Sequence, residues 1–342
     1  MTAREIVSKR MAHEGTEITP YSLGIEYELR QKLNEYYKDE NWYAKKLRTF
    51  TRSYLSADTV MMRQIDDVYS TDGYGALWRM DRKPWHLEKP PFDEPVFDAK
   101  KFPTSEVFVN NILAQKENAI KLYNEDTEHY RIIDMGWGIF EQTWRLRGFE
   151  NALMDMLADE DFYAELSKSI TDIYIDMIKA CEDVPAEAYL FGDDWGDQRG
   201  VIMGAASWRK FLKPCWARIY AEVHGQGKQV MQHSCGSITT IYDDLIEIGM
   251  NCHESVQPEA AGMEPSLVKK NWGSKLSFWG CLGSQGILTH GTSAEIVAEI
   301  HRLVNLFKED GGYILAPAKP LAAEMPVEKA VAVIETFAEI NG

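Results

Sequence analysis

Short apolar runs alternate with longer amphipathic segments from about residue 130 to the end of the chain. Six apolar runs have the length of a buried strand and fall at residues 131–135, 188–191, 229–232, 250–253, 276–279 and 313–315. Segments of helical length lie between them, at residues 149–181, 206–224, 237–248 and 293–308. Thr292 or Ser293 is a suitable N-cap for the last helix, and two glycines follow its end. Strands and helices at this spacing predict parallel strands joined by right-handed crossovers.

Six to eight such units in one chain favour closure into a barrel. The alternative is an open doubly wound sheet, but its Gly-x-Gly-x-x-Gly turn is absent from the sequence. We therefore predict one (β/α)8 TIM barrel domain over residues 1–342, with an N-terminal helical and loop extension. Five prolines between residues 83 and 103 predict a surface excursion between elements.

Polar and glycine-rich segments follow five successive predicted strands. They fall at residues 192–198, 233–236, 253–258, 279–285 and 316–319. In a barrel these strand ends share one face, which is the face where barrel enzymes place their chemistry. Turn chemistry alone also favours such residues in loops. Because five segments coincide, we predict a functional site on this face.

His233 and Cys235 are separated by one residue directly after a predicted strand. In extended backbone, residues i and i+2 point to the same side, so both side chains can meet one metal ion. Imidazole with thiolate is a typical zinc pair, and an enzyme site adds a third protein ligand and leaves one position open. Cys281 is the predicted third ligand, with Glu254 and Asp193 as alternatives. The other interpretation of the pair is a buried thiol beside a hydrogen-bonded histidine, without metal.

The net charge and the cysteines narrow the class of protein. The formal net charge of −16 argues against nucleic acid and against anionic membrane surfaces. The first fifteen residues are charged and lack the apolar segment of a secretory signal, and no apolar run is long enough to span a bilayer. The five cysteines are odd in number and scattered, which predicts reduced thiols and a cytoplasmic location.

Several of these segments together resemble one known superfamily. The motifs are Gly-Asp-Asp-Trp-Gly-x-Gln at 192–198, His-Ser-Cys-Gly at 233–236, Gln-Pro-Glu-Ala at 257–260, Gly-Met-Glu-Pro at 262–265, Gly-Gly-Tyr-Ile-Leu-Ala-Pro at 311–317 and Met-Pro-x-Glu at 325–328. In combination they resemble the uroporphyrinogen-decarboxylase-like superfamily, from about residue 131 to the C-terminus. The resemblance implies a (β/α)8 barrel and one of two chemistries. One is cofactor-free decarboxylation of a tetrapyrrole, and the other is methyl transfer to a corrinoid, with zinc held in several members by a His-x-Cys pair and a later cysteine.

The decarboxylase branch fits the sequence poorly. Its substrate carries several carboxylates, which need arginine clamps and a Met-Arg-Gln-Ala-Gly-Arg signature. Here Met-Arg-Gln at 62–64 is followed by Ile-Asp-Asp at 65–67, and acidic residues collect on the predicted catalytic face. The zinc members that methylate thiols have their third ligand near the last strand, where this chain has Ala-Pro-Ala-Lys. Either Cys281 or a carboxylate substitutes for that ligand, or no such zinc site exists.

The resemblance implies a methyltransferase that moves a methyl group from a small methylated donor to the cobalt(I) corrinoid of a partner protein. A phenyl methyl ether is the first expectation for the donor. The chain has no corrinoid-binding signature of the Asp-x-His-x-x-Gly type, so the corrinoid would arrive on the partner. The alternatives are a cofactor-free decarboxylase of a different acid and a non-catalytic small-molecule-binding barrel. A homodimer is also expected, because barrel enzymes of this superfamily often dimerise.

An ether is a poor leaving group unless its oxygen meets a Lewis acid or a proton. A metal at His233 and Cys235 would supply the first, and three residues are predicted to supply the second: Asp193, Glu254 and His253. Substrate binding is predicted for Asp194, Trp195, Gln198, Gln257, Trp137, Trp279 and Lys319. The tryptophans could stack on an aromatic donor, although core packing is the alternative interpretation for each of them.

Overall fold

The computed structural model of the protein describes residues 1–340 and contains two sheets. The strands are β1 (Thr51–Ser56), β2 (Arg63–Gln64), β3 (Tyr69–Thr71), β4 (Leu77–Arg79), β5 (His86–Lys89), β6 (Tyr130–Trp137), β7 (Ala188–Gly192), β8 (Gln229–His233), β9 (Cys252–Val256), β10 (Ser277–Leu282) and β11 (Tyr313–Pro317). The helices are α1 (Ala3–Met11), α2 (Tyr27–Tyr37), α3 (Trp42–Lys46), α4 (Ser105–Glu125), α5 (Ile139–Arg147), α6 (Phe149–Ala158), α7 (Glu160–Ala180), α8 (Gly204–Ser207), α9 (Lys213–Gly225), α10 (Tyr242–Glu247), α11 (Pro265–Trp272), α12 (Ile287–His290), α13 (Ser293–Leu306) and α14 (Val327–Glu339).

The larger sheet has seven strands in the order β1-β6-β7-β8-β9-β10-β11, and every pair in it is parallel. At least one helix lies between each pair of consecutive strands, as parallel crossovers require. These strands are rich in buried apolar residues, and all six positions of β10 are buried. Buried runs of this kind are typical of a parallel sheet that is covered by helices.

An extended N-terminal segment takes the next position beside β11. Tyr21 pairs in parallel with Leu315, where the N–H of Ser22 donates to the carbonyl of Leu315 over 2.9 Å. Helices α2 and α3 follow this segment, which makes an eighth β/α unit. On its other side, toward β1, this segment makes contacts through the side chain of Tyr21. The Tyr21 ring packs on Phe50, and its hydroxyl accepts a hydrogen bond from the N–H of Arg48. The predicted α/β barrel architecture is confirmed. The N-terminal segment takes the position of the eighth strand, but its pairing is irregular.

The predicted strands 131–135, 188–191, 229–232, 250–253, 276–279 and 313–315 correspond to β6 through β11. The strand predicted at 250–253 begins later, at Cys252, so Glu254 lies within β9 and not after it. The predicted helix 149–181 is interrupted at Asp159, between α6 and α7. The predicted N-cap Thr292 is confirmed by a capping box with Glu295.

The proline-rich stretch 83–103 is not wholly an excursion between elements. It contains β5, the edge strand of a four-stranded antiparallel sheet in the order β2-β3-β4-β5. Prolines flank β5 on both sides, and an edge strand tolerates them because one of its sides makes no ladder.

None of the helices within residues 1–340 combines the length and apolar character that crossing a bilayer requires.

Candidate active site

A cavity of about 390 Å³ opens at the carboxyl ends of the strands of the larger sheet. Its polar and aromatic walls come from five strand ends and one helix, with the side chains of Asp134, Trp137, Glu141, Phe191, Asp194, His233, Glu254 and Lys319. This is the face on which the sequence predicted the functional site. Four of these eight side chains carry carboxyl groups, so the cavity suits a cation or a neutral ligand better than a polyanion.

Three potential metal ligands meet on one side of this cavity. The ligand atoms of Asp194, His233 and Cys235 lie within 4.8 Å of one another. Nε2 of His233 is 3.3 Å from Oδ1 of Asp194 and 3.4 Å from Sγ of Cys235. The predicted pairing of His233 with Cys235 is therefore present, and Asp194 joins it. One nitrogen, one sulfur and one carboxylate oxygen form a donor set that fits zinc, with room toward the cavity for a further ligand.

Backbone packing holds the loop that carries Cys235. Gly236 adopts a φ of +74°, and a Cβ there would lie 2.6 Å from the carbonyl oxygen of Asp197. Only glycine, which has no Cβ, both adopts this positive φ readily and fits this close backbone approach. The N–H of Cys235 donates to Asp194 over 2.8 Å, and the N–H of Gly236 donates to Oε1 of Gln257 over 3.2 Å. Gln257, predicted to bind substrate, is buried and positions this loop.

Glu254 orients the imidazole from the side away from the cluster. Its carboxylate forms a short hydrogen bond with Nδ1 of His233, which leaves Nε2 directed at Asp194 and Cys235. Carboxylates that hold the second nitrogen of a metal-binding histidine fix its tautomer and increase its basicity. Burial would lower the pKa of His233, but the charge of Glu254 and the hydrogen bond to Asp194 raise it well above its usual value.

Lys319 approaches the cluster from the segment after β11. Its Nζ is 3.1 Å from Sγ of Cys235 and donates a hydrogen bond to that sulfur. Burial lowers the pKa of Lys319, and the contact with Cys235 outweighs this and raises it. Burial likewise opposes ionisation of Asp194, but His233 and the N–H of Cys235 lower the pKa of that carboxyl to about 2. Asp194 is thus an ionised acceptor.

Asp193 has a different role from its neighbour, because it lies fully buried behind the cavity. Its carboxylate accepts the N–H groups of Phe140 and Glu141 at the start of α5, over 3.1 and 3.0 Å. It also accepts the indole N–H groups of Trp195 and Trp216, over 2.7 and 3.3 Å. Burial raises the pKa of Asp193 to about 7, and these four donors oppose the rise. Predicted as a proton donor, Asp193 instead anchors the helix N-terminus, where an anion is favourable.

The structure does not bring Cys281 to the cluster of Asp194, His233 and Cys235. Cys281 is fully buried, and the charged groups nearest to it include Arg302 and Glu299 of α13. The backbone explains this, since Gly280 and Cys281 both have positive φ and the register with β9 shifts there. A shift of this kind changes which face a strand residue presents. Burial raises the pKa of the Cys281 thiol, which disfavours the thiolate that zinc requires.

His253 is likewise buried away from the cavity. Its Nδ1 is 2.6 Å from the hydroxyl of Tyr242, and its Nε2 is 2.9 Å from the carbonyl oxygen of Ser234. Burial lowers the pKa of His253 to about 4. The ring is therefore neutral and links β9 to the loop after β8, and it has no access to a ligand in the cavity.

The remaining predicted substrate-binding residues are distributed between the core and the cavity. Trp195 is fully buried and Trp279 nearly so, the latter donating to Oγ of Ser22 over 2.8 Å. Gln198 is exposed on the loop after β7 and does not line the cavity. Trp137 does line it and is 42% exposed. The core-packing interpretation therefore holds for two of these tryptophans, whereas Trp137 offers a free ring surface.

Glu141 is one of three polar or aromatic cavity residues that the sequence analysis did not predict, the others being Asp134 and Phe191. It lies in the first turn of α5, whereas the prediction rested on residues at or directly after strand ends. Only 9% of the surface of Glu141 is exposed, and its side chain lines the cavity beside Trp137. Burial, followed by the charges of Asp193 and Asp194, raises the pKa of Glu141 to about 9. Glu141 is consequently a neutral carboxylic acid at pH 7.

Replacing Glu141 by glutamine should change how stability depends on pH. The folded pKa of about 9 exceeds the ordinary value of 4.5, so the wild type loses stability as pH rises between these values. The pKa of Glu141 is raised by Asp193 and Asp194 and lowered by Arg145 and His233. The comparison therefore requires that these four residues are left unchanged. Glu141→Gln should match the wild type within about 1 kcal/mol at pH 5 and exceed it by up to about 4 kcal/mol at pH 8.

The measurement is the free energy of unfolding in urea at both pH values. The exposed Glu150, in the first turn of α6, provides the control. Glu150→Gln should show the same difference from wild type at pH 5 and pH 8. If Glu141→Gln does so too, the buried carboxyl is not protonated in the folded protein.

Comparison with known proteins places this site in a family context. The family model for uroporphyrinogen decarboxylase (URO-D) matches residues 87–340. Among solved structures, a methyltransferase from Methanosarcina mazei superposes with a TM-score of 0.68 at 15% sequence identity, with 100% of each chain covered. A B12-independent methionine synthase from Shewanella sp. W3-18-1, in complex with selenomethionine, has a TM-score of 0.39 at 12% identity, with coverage of 96% of this chain and 95% of that one. No curated protein sequence matches the chain. At such identities, the structural likeness to the first of these establishes a shared fold.

Proposed function

Because the chain belongs to the uroporphyrinogen decarboxylase family, we propose that it is a methyltransferase that moves a methyl group from a small methylated donor to the cobalt(I) corrinoid of a partner protein. The observation that carries the proposal is the cluster of Asp194, His233 and Cys235 on the wall of the cavity. The M. mazei protein, a methyltransferase that shares this fold over its full length, supports the same reaction class. We further propose that the chain forms one domain, since α1 contacts both β6 and β11.

The three clustered residues are proposed to hold zinc. A zinc ion bound there would supply a Lewis acid to the leaving group of the methyl donor. Glu254 fixes the imidazole of His233 so that Nε2 is available, and Lys319 lies against the sulfur of Cys235 and balances its charge. The residues therefore present a preorganised donor set on the wall of a cavity that a small molecule can enter.

A phenyl methyl ether remains the proposed donor. Trp137 lines the cavity with an exposed ring, on which an aromatic donor can stack. The guanidinium of Arg145 lies 4.1 Å from the centroid of the Trp137 ring and holds the ring in place by a cation–π contact. Of the eight polar and aromatic side chains that line the cavity, four carry carboxyl groups, and this argues against a substrate with many carboxylates.

The corrinoid is proposed to arrive on a separate protein. The sequence has no corrinoid-binding signature of the type sought above. The net charge of −16 would favour a partner with a basic docking face and would accelerate their encounter at low ionic strength. Raising the salt concentration should therefore slow methyl transfer to a partner protein more than methyl transfer to the free corrinoid.

The test combines the purified protein, methoxybenzene and cobalt(I) cobalamin under anaerobic conditions. We expect the absorbance change that accompanies methylation of the corrinoid, together with stoichiometric phenol, and we expect neither product when protein or corrinoid is omitted. Release of carbon dioxide from an added acid without corrinoid would establish the decarboxylase instead. Saturable binding of methoxybenzene with no product under any condition would identify a binding protein.

A further inference from the structure

One carboxyl group in the cavity differs from the other three in having no internal partner. Asp134 accepts the N–H of Gly136, Asp194 accepts the N–H of Cys235, and Glu254 holds His233. Within residues 1–340, no ion pair and no hydrogen bond reaches the carboxyl oxygens of Glu141, although its side chain is almost fully buried. Burial and the nearby carboxyl groups of Asp193 and Asp194 favour the neutral form of Glu141 and outweigh the opposing charges of Arg145 and His233. The free O–H of such a group can donate to a ligand.

The backbone around Glu141 fixes where that proton is held. The N–H groups of Phe140 and Glu141 are bound by Asp193, which anchors the first turn of α5 against the end of β7. Gly138 permits this approach, since a Cβ there would lie 2.6 Å from Cβ of Asp193. One turn later, Arg145 stacks on Trp137, so the helix and the cavity wall form one rigid unit.

Glu141 also lies between two cavities. The second cavity has a volume of about 380 Å³, and Glu141 and Asp194 line it together with Trp144 and Phe149. A proton donated into the first cavity would be replaced from the side of the second cavity, without passing the bound donor.

We propose that Glu141 donates the proton that the leaving group takes up when the methyl group is transferred. The bond between the methyl carbon and the ether oxygen breaks as the electron pair of cobalt(I) forms the new bond to carbon. The electron pair of the broken bond stays on the oxygen, which takes the Glu141 proton and leaves as the phenol. Glu141 becomes a carboxylate and regains a proton from solvent. This inference rests on the proposed methyltransferase function and assigns a further catalytic residue to it.

The first test measures the dependence of the rate on the acidity of the leaving phenol. Methyl ethers of phenol and of 4-nitrophenol are compared, with cobalt(I) cobalamin as acceptor. Glu141→Gln should slow transfer from methoxybenzene about 100-fold. It should slow transfer from 4-nitroanisole less than about 10-fold, because a stable phenolate needs little protonation. The control Glu150→Gln should leave both rates at their wild-type values. An equal loss with both donors would overturn the role of Glu141.

The second test requires no turnover. Infrared spectra of the protein without a donor should contain the carbonyl band of a protonated carboxyl group at pH 7. Part of that band should be missing in Glu141→Gln and unchanged in Glu150→Gln. Identical bands in the wild type and Glu141→Gln would overturn the proposal.

The failures of the two proposals are distinguishable. Wild-type protein that methylates cobalamin from neither ether would overturn the methyltransferase function, and with it this role of Glu141, even where the infrared band is present. Active wild-type protein with no difference between the two donors in Glu141→Gln would overturn the role of Glu141 alone.

Discussion

Protein carrying His233→Ala should be purified without the zinc that we expect in the wild type, at about one ion per chain. Its rate of methyl transfer should fall by about 1000-fold. The physical reason is that His233 would supply the nitrogen ligand of the proposed site, since its Nε2 lies within 3.4 Å of Asp194 and Cys235. Elemental analysis of protein prepared without chelator, followed by the cobalamin assay, measures both effects.

Matched variants decide which third ligand is used. Asp194→Asn and Cys235→Ala should both lose zinc, whereas Cys281→Ala should retain it, because Cys281 is buried outside the cluster. His290→Ala, an exposed histidine in α12, controls for loss of an unrelated imidazole. Zinc that persists in His233→Ala would exclude the proposed ligand set. Zinc lost from Cys281→Ala, with folding intact, would restore the ligand that the sequence predicted.

Asp193→Ala should be the most destabilising single substitution at this site, by about 4 kcal/mol in the free energy of unfolding. It removes the acceptor of four N–H groups, two at the start of α5 and two from the indoles of Trp195 and Trp216. These donors would remain buried without partners, and each such group costs about 1–3 kcal/mol before relaxation. Denaturation by urea, monitored by circular dichroism, measures the change.

A graded set of variants separates this effect from a general loss of charge. Asp193→Asn keeps one acceptor oxygen and should lose less stability than Asp193→Ala. Asp176→Ala, at an exposed position near the C-terminal end of α7, should change the stability by less than about 0.5 kcal/mol. Equal stabilities for Asp193→Ala and Asp176→Ala would mean that the buried carboxylate does not hold the N-terminus of α5.

Asp193 and Asp194 show how neighbouring residues acquire opposite roles. The first is buried and anchors a helix, while the second faces the cavity and joins His233 and Cys235 in the proposed metal site. Successive side chains at a strand end point to opposite sides, so one of two adjacent carboxylates must face inward when the other faces the cavity. Sequence reasoning placed both on the catalytic face and could not decide which one reaches it.

The sequence by itself determined the order of strands and helices from residue 131 onward, because apolar periodicity is a local property that burial in a parallel sheet requires. It also determined the pairing of His233 with Cys235, since extended backbone places residues i and i+2 on one side. The edge strand β5 was not predicted, because prolines flank it and the local sequence gives no strand pattern. Its extended conformation depends on pairing with β4.

Only the tertiary structure decided which other groups complete the site. Asp194 and not Cys281 meets the imidazole, because positive φ angles at Gly280 and Cys281 redirect the end of β10. Glu141 enters the cavity from a helix whose position depends on a carboxylate that follows it by 52 residues. Contacts of this kind depend on how separate strand ends converge in space, and no local pattern of apolar and polar residues encodes that convergence.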